Sequence, residues 1–171
     1  MVATILVVVL GGYVLAAALS QPAGPPVGFR GAVAVRPLSG WVRADPSSSF
    51  ERAGSFQLTR GNGNLVVSVR GRYDEDPSSL AQEYRVFLME QLNQLSVSST
   101  LEPVRFRSGQ TGVRFAYIGV AADSGTSVEG EVTVIVTPTG HGIVFNGWAP
   151  AGLLSFVRSD VRTMVAEAEM R

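Results

Sequence analysis

Four apolar stretches between Leu101 and Trp148 constrain this chain more than any other feature, because each gives way to residues that turn a backbone. Leu101 to Arg107 ends at Ser108-Gly109, and Val113 to Val120 at Asp123-Ser124-Gly125. Val128 to Thr137 ends at Pro138-Thr139-Gly140-His141-Gly142, before a last stretch from Ile143 to Trp148. Turns this short join strands that lie side by side and run in opposite directions, so the spacing predicts an antiparallel meander. The third stretch sets Val128, Gly130, Val132, Val134 and Val136 against Glu129, Glu131, Thr133, Ile135 and Thr137. One face is wholly apolar and the other is charged at one end, which predicts a sheet covered fully on one side and partly on the other.

Two strands precede the meander. Ser55 to Arg60 and Leu65 to Arg70 flank Gly61-Asn62-Gly63-Asn64, a turn sequence that predicts a β-hairpin. Asp76-Pro77 then supplies a capping carboxylate and a residue whose fixed φ suits the first helical turn. Leu80, Tyr84, Phe87, Leu88, Gln91 and Leu95 follow at helical spacing, which predicts a helix ending near Leu95. Pro150-Ala151-Gly152 leads into a second amphipathic segment, Leu153 to Met170, with Leu154, Val157, Val161, Met164, Val165 and Ala168 on one face. Its Arg158, Arg162, Glu167 and Glu169 take the other face. The predicted fold is α+β, an αβα sandwich of antiparallel sheet and helices in the order ββαββββα.

Met1 to Leu19 carries no charged side chain and is just long enough to cross a hydrocarbon core as a helix. A cleaved signal peptide is the other reading, with small residues placing the cut after Ala18 or Ser20. Gln21 to Gly28 is rich in Pro and Gly and reads as a semi-stiff stalk, while Phe29 to Ser39 reads as a loose strand or strap. The expected organisation is an anchor over residues 1–20, a stalk over 21–40 and a soluble domain over 41–171. Arg43 to Glu51 reads as a polar loop. Counted literally, Arg30, Arg36 and Arg43 behind the apolar segment favour a cytoplasmic domain, so the flanking charges are ambiguous as to side.

Fourteen basic and fourteen acidic residues cancel, which argues against a nucleic-acid partner and against strong attraction to anionic lipid. All fourteen basic residues are Arg, a pattern that reads as codon bias rather than a site requirement. With no Cys and one His, neither a disulfide nor a zinc site is expected, and no cofactor is.

The stretches Phe56-Gln57-Leu58-Thr59-Arg60, Asp76-Pro77, Gly130-Glu131-Val132-Thr133-Val134 and Gly142-Ile143-Val144-Phe145-Asn146-Gly147-Trp148-Ala149-Pro150 carry a resemblance to the PsbP-like superfamily. That superfamily includes extrinsic photosystem proteins, a Ran-binding factor and membrane-attached or secreted actinobacterial proteins of the LpqN type. The resemblance spans about Trp41 to Arg171 and lies in strand rhythm, with no catalytic motif. It implies an αβα sandwich that binds a partner and rarely catalyses, and it transfers no site residues. This chain departs from the lipoprotein members in having no Cys to acylate.

Catalytic constellations are thin. His141 lies in a glycine-flanked turn with no G-x-S-x-G elsewhere, and reads as a surface residue rather than part of a triad. Asp74-Glu75-Asp76 reads as charge placed at a helix's positive end rather than as a metal site. Glu129 and Glu131 share a strand face, as a glycosidase pair would, but the hairpin before them brings Arg114 near and makes ion pairing the plainer reading. Arg105, Arg107 and Arg114 offer forks that grip a carboxylate or phosphate. The candidate partner or ligand surface is therefore Arg105, Arg107, Arg114, Glu129 and Glu131, with Trp148 on a second rim. The expected function is a non-enzymatic, membrane-tethered module on the extracytoplasmic side of a bacterial plasma membrane, serving another membrane or envelope protein. The alternative is an extracytoplasmic carrier of an apolar or lipid ligand, secreted if the leading segment is cleaved.

Overall fold

The computed structural model describes residues 24–29, 31–44 and 54–170. Met1 to Leu19 and residues 45–53 lie outside them, and among the described residues no helix is long and apolar enough to cross a membrane.

The GNGN hairpin forms as the sequence predicts. β4 (Ser55–Arg60) and β5 (Gly63–Arg70) pair antiparallel through the two-residue loop Gly61-Asn62. Gly61 sits at φ 55° and Asn62 does not share that sign, the pattern of a hairpin turn that places glycine first. The meander also forms, as β7 (Glu102–Arg105), β8 (Thr111–Ala121), β9 (Ser127–Val136) and β10 (Gly142–Pro150). β10 closes it onto β5, with Phe145 opposite Val67 and Gly147 opposite Leu65. The main sheet runs β3 (Val42–Ala44), β4, β5, β10, β9, β8, with β6 (Leu92–Val97) and β7 sharing the outer edge of β8.

Alternation along these strands sorts the core into two layers. Val66, Val144, Val132, Val134, Phe115 and Tyr117 face α1 (Pro77–Gln91), which buries Leu80, Ala81, Tyr84, Phe87 and Leu88 against them. Leu65, Val67, Ile143, Phe145 and Ile135 face the opposite way, onto Val161, Met164 and Val165 of α2 (Arg158–Ala166). Each of these large apolar side chains, fully withdrawn from water, contributes about 1.5–3 kcal/mol. The sheet is mixed with helix as expected, an α+β arrangement with mostly antiparallel pairing.

Three expectations need correction. The first helix stops at Gln91, because Leu92 turns extended (φ −124°, ψ 130°) and opens β6 against β8. Leu95 is therefore a strand residue, and Gln94 at φ 50° marks an irregular register there. The closing segment is not one helix over Leu153 to Met170. It is a single 3-10 turn (Leu154–Phe156), the nine-residue α2, and a short strand β11 (Glu169–Met170). The stretch read as a stalk is folded from Val27 onward, and of the two readings of Phe29 to Ser39, loose strand or strap, the strand forms at Val33–Val35. β1 (Val27–Phe29) and β2 (Val33–Val35) form a three-stranded sheet with β11, and Val33, Val35 and Leu38 join the α2-side core. Apolar side chains at alternate positions of a β2 flanked on both sides are what pull this segment out of solvent.

Candidate functional site

The meander positions Glu131 in the middle of β9 on the α2 side, 7% exposed. A carboxylate buried to that degree needs a partner, and three guanidinium groups converge on it. Arg162 of α2 grips it in bidentate fashion, Nε donating to Oε1 at 2.8 Å and Nη2 to Oε2 at 2.5 Å. Arg114 reaches the same carboxylate from β8 at 3.6 Å while its Nε donates to Thr133 Oγ1 at 3.3 Å. Arg158, one turn before Arg162 on α2, approaches Oε2 through Nε at 3.8 Å. Burial holds the Arg114 proton affinity below the usual guanidinium range, with Glu131 opposing the shift. The hydrogen bonds to Glu131 hold that of Arg162 above it.

Glu129, two residues earlier on the same face, is committed elsewhere. Its Oε1 accepts from the backbone N–H groups of Gly152 and Leu154, at 3.0 and 2.9 Å, and fixes the chain entering the 3-10 turn. Glu129 and Glu131 thus share a face, as the alternation predicts, but each is engaged by donors of its own. Of the other sequence candidates, Arg105 is exposed at the end of β7, and Arg107, 78% exposed, faces Glu167 at 3.6 Å in the turn that follows. Neither joins Arg114. Trp148 lies on the opposite face of β10, packed at the margin of the α1 layer. Sequence reasoning assigned Arg158 and Arg162 to a solvent face. The signal available was two arginines four apart on a helix, which repel unless an anion lies between them.

A second polar site lies in the α1 layer. Tyr117 Oη donates to Asn146 Oδ1 at 2.9 Å, both fully buried, and burial drives the Tyr117 phenol well above its ordinary range. The Tyr117 ring lies over Gly130, where a Cβ would come within 2.4 Å of it. Between α1 and strands β5 and β10 a cavity of about 210 Å³ remains, lined by Ser68, Leu80, Tyr84 and Val144 among others. Arg70 and Glu83, also in its lining, form an ion pair, and Tyr73 Oη donates to Glu83 at 3.1 Å. Desolvation, reinforced by Glu83, pushes the Tyr73 phenol up to about 12.

On the outside, Val86 and Met89 of α1 are 56% and 65% exposed. They line an open groove with Val97 of β6. His141 bonds within its own turn, Nδ1 lying 3.0 Å from Thr139 Oγ1. Asp76 accepts from the N–H groups of Ser78 and Ser79, so one member of the acidic run is spent on capping α1. Among the described residues no cluster of His, Asp or Glu has metal-binding geometry.

No family model matches the chain, and no curated protein does. Solved structures do. Cyanobacterial PsbP (CyanoP) from Synechocystis sp. PCC 6803 superposes with a TM-score of 0.60 at 14% identity, over 86% of this chain and 92% of that one. The fold is PsbP-like. The Ran-binding protein Mog1p of Saccharomyces cerevisiae matches with a TM-score of 0.55 at 14% identity, over 88% and 96% of the two chains. LpqN of Mycobacterium tuberculosis, described as involved in cell envelope biogenesis, matches with a TM-score of 0.53 at 16% identity, over 85% and 89%. At these identities the likeness fixes the PsbP-like fold and carries no site residue across.

Proposed function

We propose that this chain is a non-enzymatic, membrane-tethered module on the extracytoplasmic side of a bacterial plasma membrane, acting as an accessory or binding subunit of an envelope or membrane protein complex. The observation that carries the reading is an exposed apolar pair on α1, in addition to other apolar side chains, Phe156, Val42 and Ile118, that the domain leaves in solvent elsewhere. Val86 and Met89 stand exposed along the outer side of α1, whereas the space between α1 and the sheet amounts to about 210 Å³. Exposed apolar side chains gathered on one face serve contact with another macromolecule. A carrier that holds a drug-sized ligand between helix and sheet needs a cleft or cavity of roughly 300 Å³ or more there, so the carrier reading is the weaker of the two.

The tether rests on Met1 to Leu19, nineteen residues without a charged side chain. The envelope setting draws support from LpqN, whose described role is in cell envelope biogenesis. Crosslinking the full-length protein in native membranes, followed by a detergent pull-down and mass spectrometry, tests the reading. One membrane or envelope protein enriched in crosslinks to α1 is the expected result. A protein recovered alone, with and without crosslinker, would refute it.

A further inference from the structure

We infer that Arg158 and Arg162, beside Glu131, form a binding site for a phosphate group, which Arg158 joins to a groove on the uncovered part of the sheet. α2 covers β5, β10 and β9 but leaves part of β8 open, where Ile118 is 48% exposed. A groove of about 260 Å³ lies there, with Ala116, Ile118 and Leu154 as apolar lining, Ser96 and Ser98 as hydroxyls, and Arg158 and Glu129 as its charged lining.

The donors are available. Arg162 spends Nε and Nη2 on Glu131 and keeps Nη1. Arg158 comes no closer to Glu131 than 3.8 Å, through Nε, so its two terminal nitrogens lie farther from that carboxylate, and its side chain is 44% exposed. Three guanidinium charges are balanced by three carboxylates, Glu131, the nearby Glu102 and Glu129 in the groove lining, so the site is neutral when empty and a phosphate is drawn by the exposed donors rather than by net charge. Glu129, also in the groove lining, is occupied by the N–H groups of Gly152 and Leu154. A single fork satisfies a carboxylate, as Arg162 satisfies Glu131. The open end of Arg158 and the spare Nη1 of Arg162, four residues apart on one helix, offer donors from two directions to the tetrahedral oxygens of a phosphate. Glu131 holds Arg162 in place before any ligand arrives, which lowers the cost of ordering it.

The inference is independent of the tether and of the α1 surface. Its test is a titration of the full-length protein in phosphate-free maltoside micelles, followed through the arginine Nε–Hε resonances. The two probes are inorganic phosphate and soluble dihexanoyl phosphatidylglycerol. Saturable shifts at Arg158 and Arg162 are expected, and Arg158→Gln should weaken binding about tenfold with an unchanged melting temperature, since one charge-assisted pair is removed at an exposed position. The phosphatidylglycerol binding about tenfold or more tighter than phosphate identifies a lipid headgroup whose chains use the Ile118 floor, and equal affinities identify free phosphate. No saturable shift with either probe across the millimolar range, or undiminished affinity in Arg158→Gln, overturns the inference.

Discussion

Glu131 shows how one buried charge organises its surroundings. Removing a partner from a buried ion pair leaves the rest uncompensated, and Arg114, at 13% side-chain exposure, is the group that water cannot rescue. Glu131→Ala is therefore expected to cost about 3 kcal/mol in chemical denaturation, whereas Arg158→Ala, at the rim, should cost under about 1 kcal/mol. Gly130 is as tightly specified for a different reason. A Cβ there meets the Tyr117 ring at 2.4 Å, so Gly130→Ala should destabilise by about 1–3 kcal/mol, and adding Tyr117→Leu should return part of the loss. Tyr73 gives a pH signature. Its phenol keeps its proton up to about 12 in the folded chain, against 10.0 unfolded, so its contribution is complete below pH 10 and is lost as pH rises toward 12. Denaturation midpoints should fall across that window and fall less in Tyr73→Phe, with buried Tyr117 supplying the remaining dependence. At this scale the sequence made Arg114 and Glu131 legible, because two strands joined by one turn must bring them close. It did not disclose Arg158 and Arg162, because which flank of α2 turns inward depends on a crossing that the strands alone do not set.

The elements were legible where a local signal acts alone and not where two compete. Asp76-Pro77 starts α1 as expected, its carboxylate bonded to two N–H groups, and Asp76→Ala should cost about 1 kcal/mol. Thermal melting of that variant against Glu75→Ala as an exposed control measures it. The end of α1 was misread because Leu95 continues the helical spacing while Asn93, Ser96 and Val97 disfavour helix. Pairing of Leu92 with Ala121 and Ser96 with Ile118 decides for strand. The closing helix is shortened for a like reason, since β2 offers an edge that Glu169 and Met170 complete. Gly147 shows how closely α2 approaches: a Cβ there lies 2.4 Å from Val161 Cγ1.

At the scale of the molecule, the described residues form a main sheet with a helix on each face, beside a three-stranded sheet, and the meander was readable almost strand by strand because turn residues punctuate it. The segment from Val27 to Leu38 was not, because three-residue strands carry too little alternation to register and gain their meaning only beside β11. Function depends on surfaces, and surfaces are what periodicity describes least. Membrane attachment and docking through the outer side of α1 are the central claim, and a photocrosslinking amino acid placed at Met89 in native membranes tests them most directly. The account predicts one discrete heavier species from Met89, absent when the probe sits at exposed Ser124, in a chain whose intact mass still includes Met1 to Leu19. A chain that begins after Ala18 or Ser20, leaves the membrane fraction and forms no adduct at Met89 would contradict it.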